Sequence, residues 1–541
     1  MPRTTYGSDA TCQKPAEHHL TSGAKTRAVF THLFYNYSLL KMGITQTQSA
    51  EQLEPQVLLP NNPFVPPKGG ICLINNLPPE LLSHTFELGF ADDVIEDEED
   101  IPDSYTHLDE TMKIHDRETE SRHVFPSFTL PISHVCQHWR NVALSTPSIW
   151  TTIEHPPYEP VSTLLKRSKS LPIDITISYG DLDKYEDDFE LLSDADLDIL
   201  FAMLIPHIHR WRTIKVTVSE YHHMYAFLSA VSDPSVPAAP QLTTLELYHY
   251  EDILGLDAFQ HPRMANHLTL FAGSAPLLTR IVLWGVHVDW DQPWIASASN
   301  LTDLQLGCHA EDVRPSWAQF STILRSASVL QKLSLRQSEP TAGDPADGNA
   351  PIQLIRVTNF ILEVETLARF IGLFRMFHLP ALKHLYLDPW GHIDDDYVDF
   401  FHELTRPAYP AQEQPRSLAS RLESLKVPAH PCQVECIETL YGELQNLRSL
   451  NLSLHYYDPF FFDIISTPCT LPGHGDIWLP RLATVYVYGT SWIALRKLVL
   501  QRKEAGVPLT SLHVDRECGL DAENVDWLKE NVKTFKFIED R

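Results

Sequence analysis

Three apolar residues spaced apolar-x-x-apolar-x-apolar recur along most of this 541-residue chain, and no other feature restricts its fold as strongly. Copies stand at Leu242/Leu245/Leu247, Leu278/Ile281/Leu283, Leu301/Leu304/Leu306, Leu330/Leu333/Leu335 and Leu382/Leu385/Leu387. They continue at Leu422/Leu425/Val427, Leu447/Leu450/Leu452, Leu482/Val485/Val487, Leu509/Leu512/Val514 and Val532/Phe535/Phe537. Successive starts lie 36, 23, 29, 52, 40, 25, 35, 27 and 23 residues apart. A degenerate unit at Val357/Phe360/Leu362 divides the interval of 52 into 27 and 25. Four copies carry a proline two residues before the first apolar position: Pro240, Pro276, Pro380 and Pro480. The final x-apolar pair alternates with period two, which predicts a short strand. Such a strand cannot bury its apolar side alone, so neighbouring units must stack.

The spacing resembles leucine-rich repeats. That resemblance implies an irregular solenoid over residues 156–541 with a curved parallel sheet, each strand followed by a returning helix or loop. Trp211/Ile214/Val216 and the alternating Ile173, Ile175 and Ile177 begin the series, and the segment from Glu365 to Phe374 has helical spacing suited to the outer layer. Alternation along each strand sends Leu245 and Leu247 to the core, and Thr244, Glu246 and Tyr248 to the other face. The same reading places Tyr248, Trp284, Arg336, Tyr386, Tyr486, Tyr488 and His513 on that second face, among Gln305, Ser334, Lys426 and Asn451. Tyr, Trp and Arg dominate interface energetics, so the first six are the expected target-binding residues.

Upstream, Asn76-Leu77-Pro78-Pro79-Glu80-Leu81-Leu82 opens a helix. The prolines suit its first turn, Leu81, Leu82, Thr85, Phe86 and Leu88 make its apolar face, and Gly89 is the expected stop. Ile132, Val135, Cys136, Trp139, Val142 and Ala143 predict one further amphipathic helix, and Thr146-Pro147 a short third turn ending at Trp150. Leu-Pro-Pro-Glu-Leu-Leu, then Val-Cys-x-x-Trp-Arg, then Ala-Leu-Ser-Thr-Pro-x-Ile-Trp resemble the F-box of proteins from mushroom-forming fungi. The resemblance implies a helical F-box module at 71–155 that docks on a Skp-type adaptor and so joins a cullin–RING ubiquitin ligase. It implies adaptor contacts from Leu77, Pro78, Leu81, Leu82, Phe86, Ile132, Val135, Cys136 and Trp139. An insert at 91–128 separates the first two helices; from Ala91 to Glu120 it holds thirteen acidic and two basic residues, a net of −11, which predicts a solvated loop. Residues 1–70 read as a poorly ordered extension, with one amphipathic stretch from Arg27 to Met42 and a Pro-rich linker at 59–67.

A formal charge of −28, from 70 acidic and 42 basic residues, argues against nucleic acid and anionic membranes as partners. Eight scattered cysteines read as reduced thiols, and no apolar run reaches membrane-spanning length, which points to the cytoplasm or nucleus. Asp395-Asp396-Tyr397-Val398-Asp399 has the spacing of a magnesium-diphosphate motif, but an acidic chain offers such matches cheaply. His430-Pro431-Cys432 with Cys436 lacks a second pair at zinc-site spacing, and no phosphate loop or nucleophile elbow occurs. The expectation is therefore an α/β protein without catalysis, cofactor or metal: a helical F-box module followed by a leucine-rich-repeat solenoid that receives a target protein. The alternative is a non-catalytic repeat scaffold unconnected with ubiquitination.

Overall fold

The structure, a computed structural model, describes residues 74, 77–99, 129–155, 161–179, 194–249, 258–265, 268–341, 351–364, 367–389, 398–408, 416–427, 433–452, 459–472 and 475–538. The stretch from Arg27 to Met42 lies outside these residues. Described residues up to Trp150 form one compact unit and those from Thr151 onward a second.

In the first unit, α1 spans Pro79–Glu99, α2 Thr129–His134 and α3 Gln137–Ser145, and a 3-10 turn covers Pro147–Trp150. The amides of Leu81 and Leu82 donate to the Pro78 carbonyl and start α1 where proline's missing N–H costs nothing. Gly89 does not stop the helix, which runs on through the first nine residues of the acidic insert. Glycine permits a helix end without imposing one, and the residues beyond it include the good helix formers Ala91, Glu96, Glu98 and Glu99. The expected second helix is two helices, because Cys136 is extended (φ −157°, ψ 171°) and its Sγ accepts the Trp139 amide as the cap of α3. Phe86 packs on Trp139 with ring centroids 5.2 Å apart, and the Trp150 indole donates to the Ala143 carbonyl at 2.8 Å. Ser83 and Thr146 share a hydrogen bond of 2.8 Å, and the Ser148 hydroxyl donates to Glu87 Oε1 at 2.7 Å.

The second unit is built on one parallel sheet of 14 strands whose spatial order is their chain order. These are β1 Thr152–His155, β2 Ile173–Tyr179, β3 Trp211–Val218, β4 Thr244–His249, β5 Arg280–Trp284, β6 Asp303–Gly307 and β7 Lys332–Arg336. They continue as β8 Asn359–Val364, β9 His384–Pro389, β10 Ser424–Lys426, β11 Ser449–Leu452, β12 Thr484–Val487, β13 Ser511–Val514 and β14 Thr534–Phe537. Each copy of the apolar pattern is one strand, the degenerate copy at Val357 included. β1 is not anticipated by the pattern; it lies within residues 71–155, expected to form the helical module, yet it pairs with β2.

Register aligns Ile153, Ile175, Ile214, Leu245, Ile281, Leu304, Leu333, Phe360, Leu385, Leu425, Leu450, Val485 and Leu512 in a single row. Every one is at most 2% exposed. Helices Trp317–Ser326, Leu367–Arg375 and Trp492–Glu504 contribute Phe320, Phe370 and Leu495 to the same core.

The prolines have a structural reason. The amides of Leu242, Leu278, Leu382 and Leu482 donate to the carbonyls of Ala239, Ala275, Leu379 and Leu479 at 3.0–3.4 Å. Each closes a four-residue turn with proline at the second position, where its fixed φ is already correct. Five units without proline close the same turn, as when Leu301 donates to Ala298 and Leu447 to Leu444. Side chains of following units tie the turns together. Asn300 donates to the Pro276 carbonyl at 2.9 Å, Arg421 to Pro380 at 2.6 Å and Asn446 to Ser420 at 2.7 Å.

Arg502 carries this device inside the protein. It is fully buried and donates to the carbonyls of Trp478, Leu479 and Leu482 around one such turn. Burial pulls its pKa down to about 10, so the guanidinium remains charged at neutral pH. Replacing it strands the Trp478 and Leu482 carbonyls and leaves Leu479 with only its turn bond from the Leu482 amide. Arg502→Leu is expected to lower the unfolding free energy by about 3 kcal/mol or more in urea titrations, with Arg502→Lys recovering part of the loss. An unchanged midpoint would show that water serves those carbonyls equally well.

Candidate binding surfaces

α1 has two different sides. Leu82 and Phe86 are buried against the partner helices, whereas Pro78 is exposed and Leu81 and Leu88 are each 55% exposed. Leu81 and Leu88 are seven residues apart and so share one face, with the half-buried Thr85 between them. Four residues expected to meet an adaptor, namely Leu82, Phe86, Ile132 and Trp139, are instead the core of the helical unit. The reason is geometric: a three-helix unit has few inward positions, and its largest rings take them. Leu77, Val135 and Cys136 are half-buried, the last as a helix cap. Leu88 belongs to the exposed stripe; the seven-residue spacing from Leu81 was the signal for it.

The second face of the sheet is more closed than its sequence suggests. Tyr248, Trp284, Arg336 and Tyr386 are all less than 9% exposed, so four of the six expected target contacts are buried. Strands about 4.8 Å apart allow long side chains to lie over their neighbours. Tyr248 and Trp284 pack with Val282 and Cys308 in a small cluster separate from the main core. The indole of Trp284 lies so close over Gly307 that a Cβ there would come within 2.3 Å of it. Arg336 is 3.6 Å from the Glu363 carboxylate and 5.2 Å from the ring centroid of Tyr386. Lys426, 2% exposed, approaches that ring from the other side at 3.9 Å and contacts its hydroxyl.

Charges on the earlier strands are likewise engaged. Arg280 binds Glu246 at 2.6 Å and also contacts Asp303, while the Tyr248 hydroxyl donates to Glu246 at 3.1 Å. Burial opposes ionisation of Glu246, but Arg280 and Lys215 prevail and hold its carboxyl below the usual range.

Accessible side chains remain toward the C-terminal strands. Tyr486 and Tyr488 are half-exposed, and the Tyr486 ring stacks on His513 with centroids 4.2 Å apart. Ser511 hydrogen-bonds the other side of His513 at 2.8 Å, and burial lowers the pKa of that imidazole. Beside them run Ser449, Thr484 and Ser511, paired in register and half-exposed.

The remaining sequence motifs do not assemble a reactive centre. Asp395, Asp396 and Tyr397 lie outside the described residues, as do His430, Pro431 and Cys432. Asp399 borders an open cleft of about 310 Å³ in which Arg375 and Arg406 both bind the buried Glu403 carboxylate, at 3.0 and 2.5 Å. Among the described residues no group of three or more His, Cys, Asp or Glu is placed to hold a metal, and no helix is long and apolar enough to cross a membrane. No protein-family model matches the chain, and no curated protein matches it.

Two measurements follow from these environments. Tyr386→Ala removes a buried ring and is expected to cost about 3 kcal/mol of stability in urea titrations, whereas Tyr486→Ala, half-exposed, should cost about 1 kcal/mol or less. Equal losses would show that the two rings are equally buried in solution.

His309 provides a pH test. It is 1% exposed; Nε2 donates to the Val286 carbonyl at 3.0 Å, Nδ1 lies 2.8 Å from the Ser338 hydroxyl, and burial pushes its pKa down to about 3. The unfolded chain protonates this imidazole near pH 6.5 while the folded chain keeps it neutral, so the unfolded state binds more protons between those values. Its contribution is complete above about pH 6.5 and declines as pH falls toward 3. Chemical unfolding at pH 7, 6 and 5 should show stability falling, with a shallower fall in His309→Gln. Parallel profiles would contradict a neutral buried His309.

Proposed function

We propose that this chain is a substrate-recognition subunit of a Skp–cullin–F-box ubiquitin ligase. The helical unit would bind the Skp-type adaptor, and the parallel sheet, read as a leucine-rich-repeat solenoid, would receive a target protein in the cytoplasm or nucleus. Catalysis would belong to other subunits, and this chain would supply proximity and orientation. The observation that carries the reading is the exposed stripe of Pro78, Leu81 and Leu88 on a helix whose other side is filled by Phe86 and Leu82. Large apolar side chains aligned in water on one helix face fit a partner groove better than they fit solvent. They also fall within the Leu-Pro-Pro-Glu-Leu-Leu motif and just beyond it, where the F-box resemblance expects the adaptor. On the sheet, the accessible target contacts reduce to Tyr486 and Tyr488, with His513 stacked on the first.

Burying one such side chain is worth roughly 1.5–3 kcal/mol, so removing two anchors should weaken adaptor binding on the order of a thousandfold. Titration calorimetry with a purified Skp-type adaptor is expected to show that loss for Pro78→Ala combined with Leu81→Ala, at an unchanged melting temperature. Leu82→Ala should instead unfold the helical unit, because that side chain is core. Adaptor binding equal to wild type in the double variant rejects the assignment. No binding by the wild-type chain favours the alternative, a repeat scaffold outside ubiquitination.

A further inference from the structure

The turns that lead into the strands change in charge along the sheet. In each repeat the residues just before and just after the first apolar position stand at the rim where the strand begins. On β4 to β7 neither is charged. On the next five repeats one of the two is a cation, taken from alternate sides: Arg356 before Val357, Lys383 after Leu382, Arg421 before Leu422, Arg448 after Leu447 and Arg481 before Leu482. On β13 both positions are neutral again. Five successive basic repeats run against the composition of a chain whose formal charge is −28.

These cations are accessible and little used by the fold. Arg356, Lys383, Arg448 and Arg481 are exposed, and Arg421 is half-buried. Arg421 reaches back to the Pro380 carbonyl at 2.6 Å, and Arg481 to Asn446 Oδ1 at 2.9 Å. Arg421 therefore lies over the turn that bears Lys383, and Arg481 over the turn that bears Arg448. Among the described residues neither the Arg356 nor the Arg448 side chain makes a hydrogen bond or ion pair. Glu423, the one acid at these positions, shows how the rim treats a carboxylate. Lys383 binds it at 2.9 Å, and that bond, with the charges of Lys383, His384 and Arg448, holds its carboxyl below the usual range.

Strands about 4.8 Å apart spread the five cations over roughly 19 Å, the reach of about six extended residues. No Phe, Tyr or Trp occupies these positions, so nucleic-acid bases would find no stacking platform there. A long polyanion would also meet the negative charge of the rest of the chain. A short carboxylate-rich segment needs only the rim.

We propose that the rim of β8 to β12 is a docking surface for an extended, carboxylate-rich segment of a partner protein, which crosses the strands and pairs with Arg356, Lys383, Arg421, Arg448 and Arg481. This goes beyond the ligase reading and does not depend on it, because the rim would serve a ligase target and a scaffold partner alike. Adaptor binding is measured separately, so the two readings fail independently.

Fluorescence anisotropy with the full chain tests it, the probe being a labelled twelve-residue peptide of alternating Glu and Ser. The peptide should bind, more weakly as salt rises, and its counterpart with Gln for Glu should not. Arg356→Gln combined with Arg448→Gln should weaken binding about fivefold or more at an unchanged melting temperature, since neither side chain ties the fold together. Arg356→Lys combined with Arg448→Lys keeps the charge and should retain binding. Lys497→Gln combined with Lys529→Gln removes equal charge from exposed helix positions elsewhere and should bind as wild type does. Equal losses in the two glutamine variants overturn the proposal, because net charge and not the rim would then govern binding. No binding by the wild type overturns it, as does binding seen only after deletion of residues 100–128, which makes the chain's own acidic insert the occupant. Single-stranded oligouridine of twelve nucleotides binding as tightly as the acidic peptide overturns the choice of a polypeptide.

Discussion

The second unit depends on one backbone relay. In nine repeats a turn closes on the first apolar residue, and the next amide crosses to the equivalent carbonyl of the preceding repeat. Thr243 donates to Arg212, Thr279 to Thr243, Thr302 to Thr279, and the series runs without a break to Thr510 on Ala483, always at 2.7–2.9 Å. This relay sets register, and register aligns the leucines. A slip of one residue anywhere would reverse the faces of a strand and place its apolar pair in water. The unequal lengths between repeats are harmless because the excursions return to the same relay bond.

The relay also explains where strain is accepted. Gly285, Cys308 and Gln337 follow β5, β6 and β7 with φ of 63°, 51° and 50°, and their amides extend the ladder to Gly307, Arg336 and Glu363. Only the first is glycine; a Cβ there would lie 2.9 Å from the His249 carbonyl oxygen. The other two hold left-handed backbone at about 1–2 kcal/mol each, offset by a ladder bond that would otherwise be missing.

The same parallel stacking governs the second face of the sheet. Rows held about 4.8 Å apart favour long side chains that reach across strands, so cations pair with neighbouring carboxylates or rings. The middle of the face is consumed in this way by Arg336, Glu363, Tyr386 and Lys426. Toward β12 and β13 the residues are shorter or neutral, reach less far, and leave Tyr486 and Tyr488 accessible. In the helical unit the equivalent division lies within α1, where the largest rings fill the core and the leucines that do not fit face outward.

The sequence by itself determined the repeat, its strands, the core ladder and the position of the turns, because apolar spacing and proline act locally and recur. It also marked α1 through its Pro-Pro opening. Tertiary structure alone decided which polar and aromatic residues stay accessible. Tyr386 on β9 and Tyr486 on β12 occupy equivalent positions three strands apart, yet one is covered by Arg336 and Lys426 and the other is not. Likewise the break at Cys136 turns on a cap that periodicity does not encode, and continuation of α1 past Gly89 on the absence of a left-handed turn. Burial depends on what adjacent strands carry, and that is fixed only when distant segments meet in register.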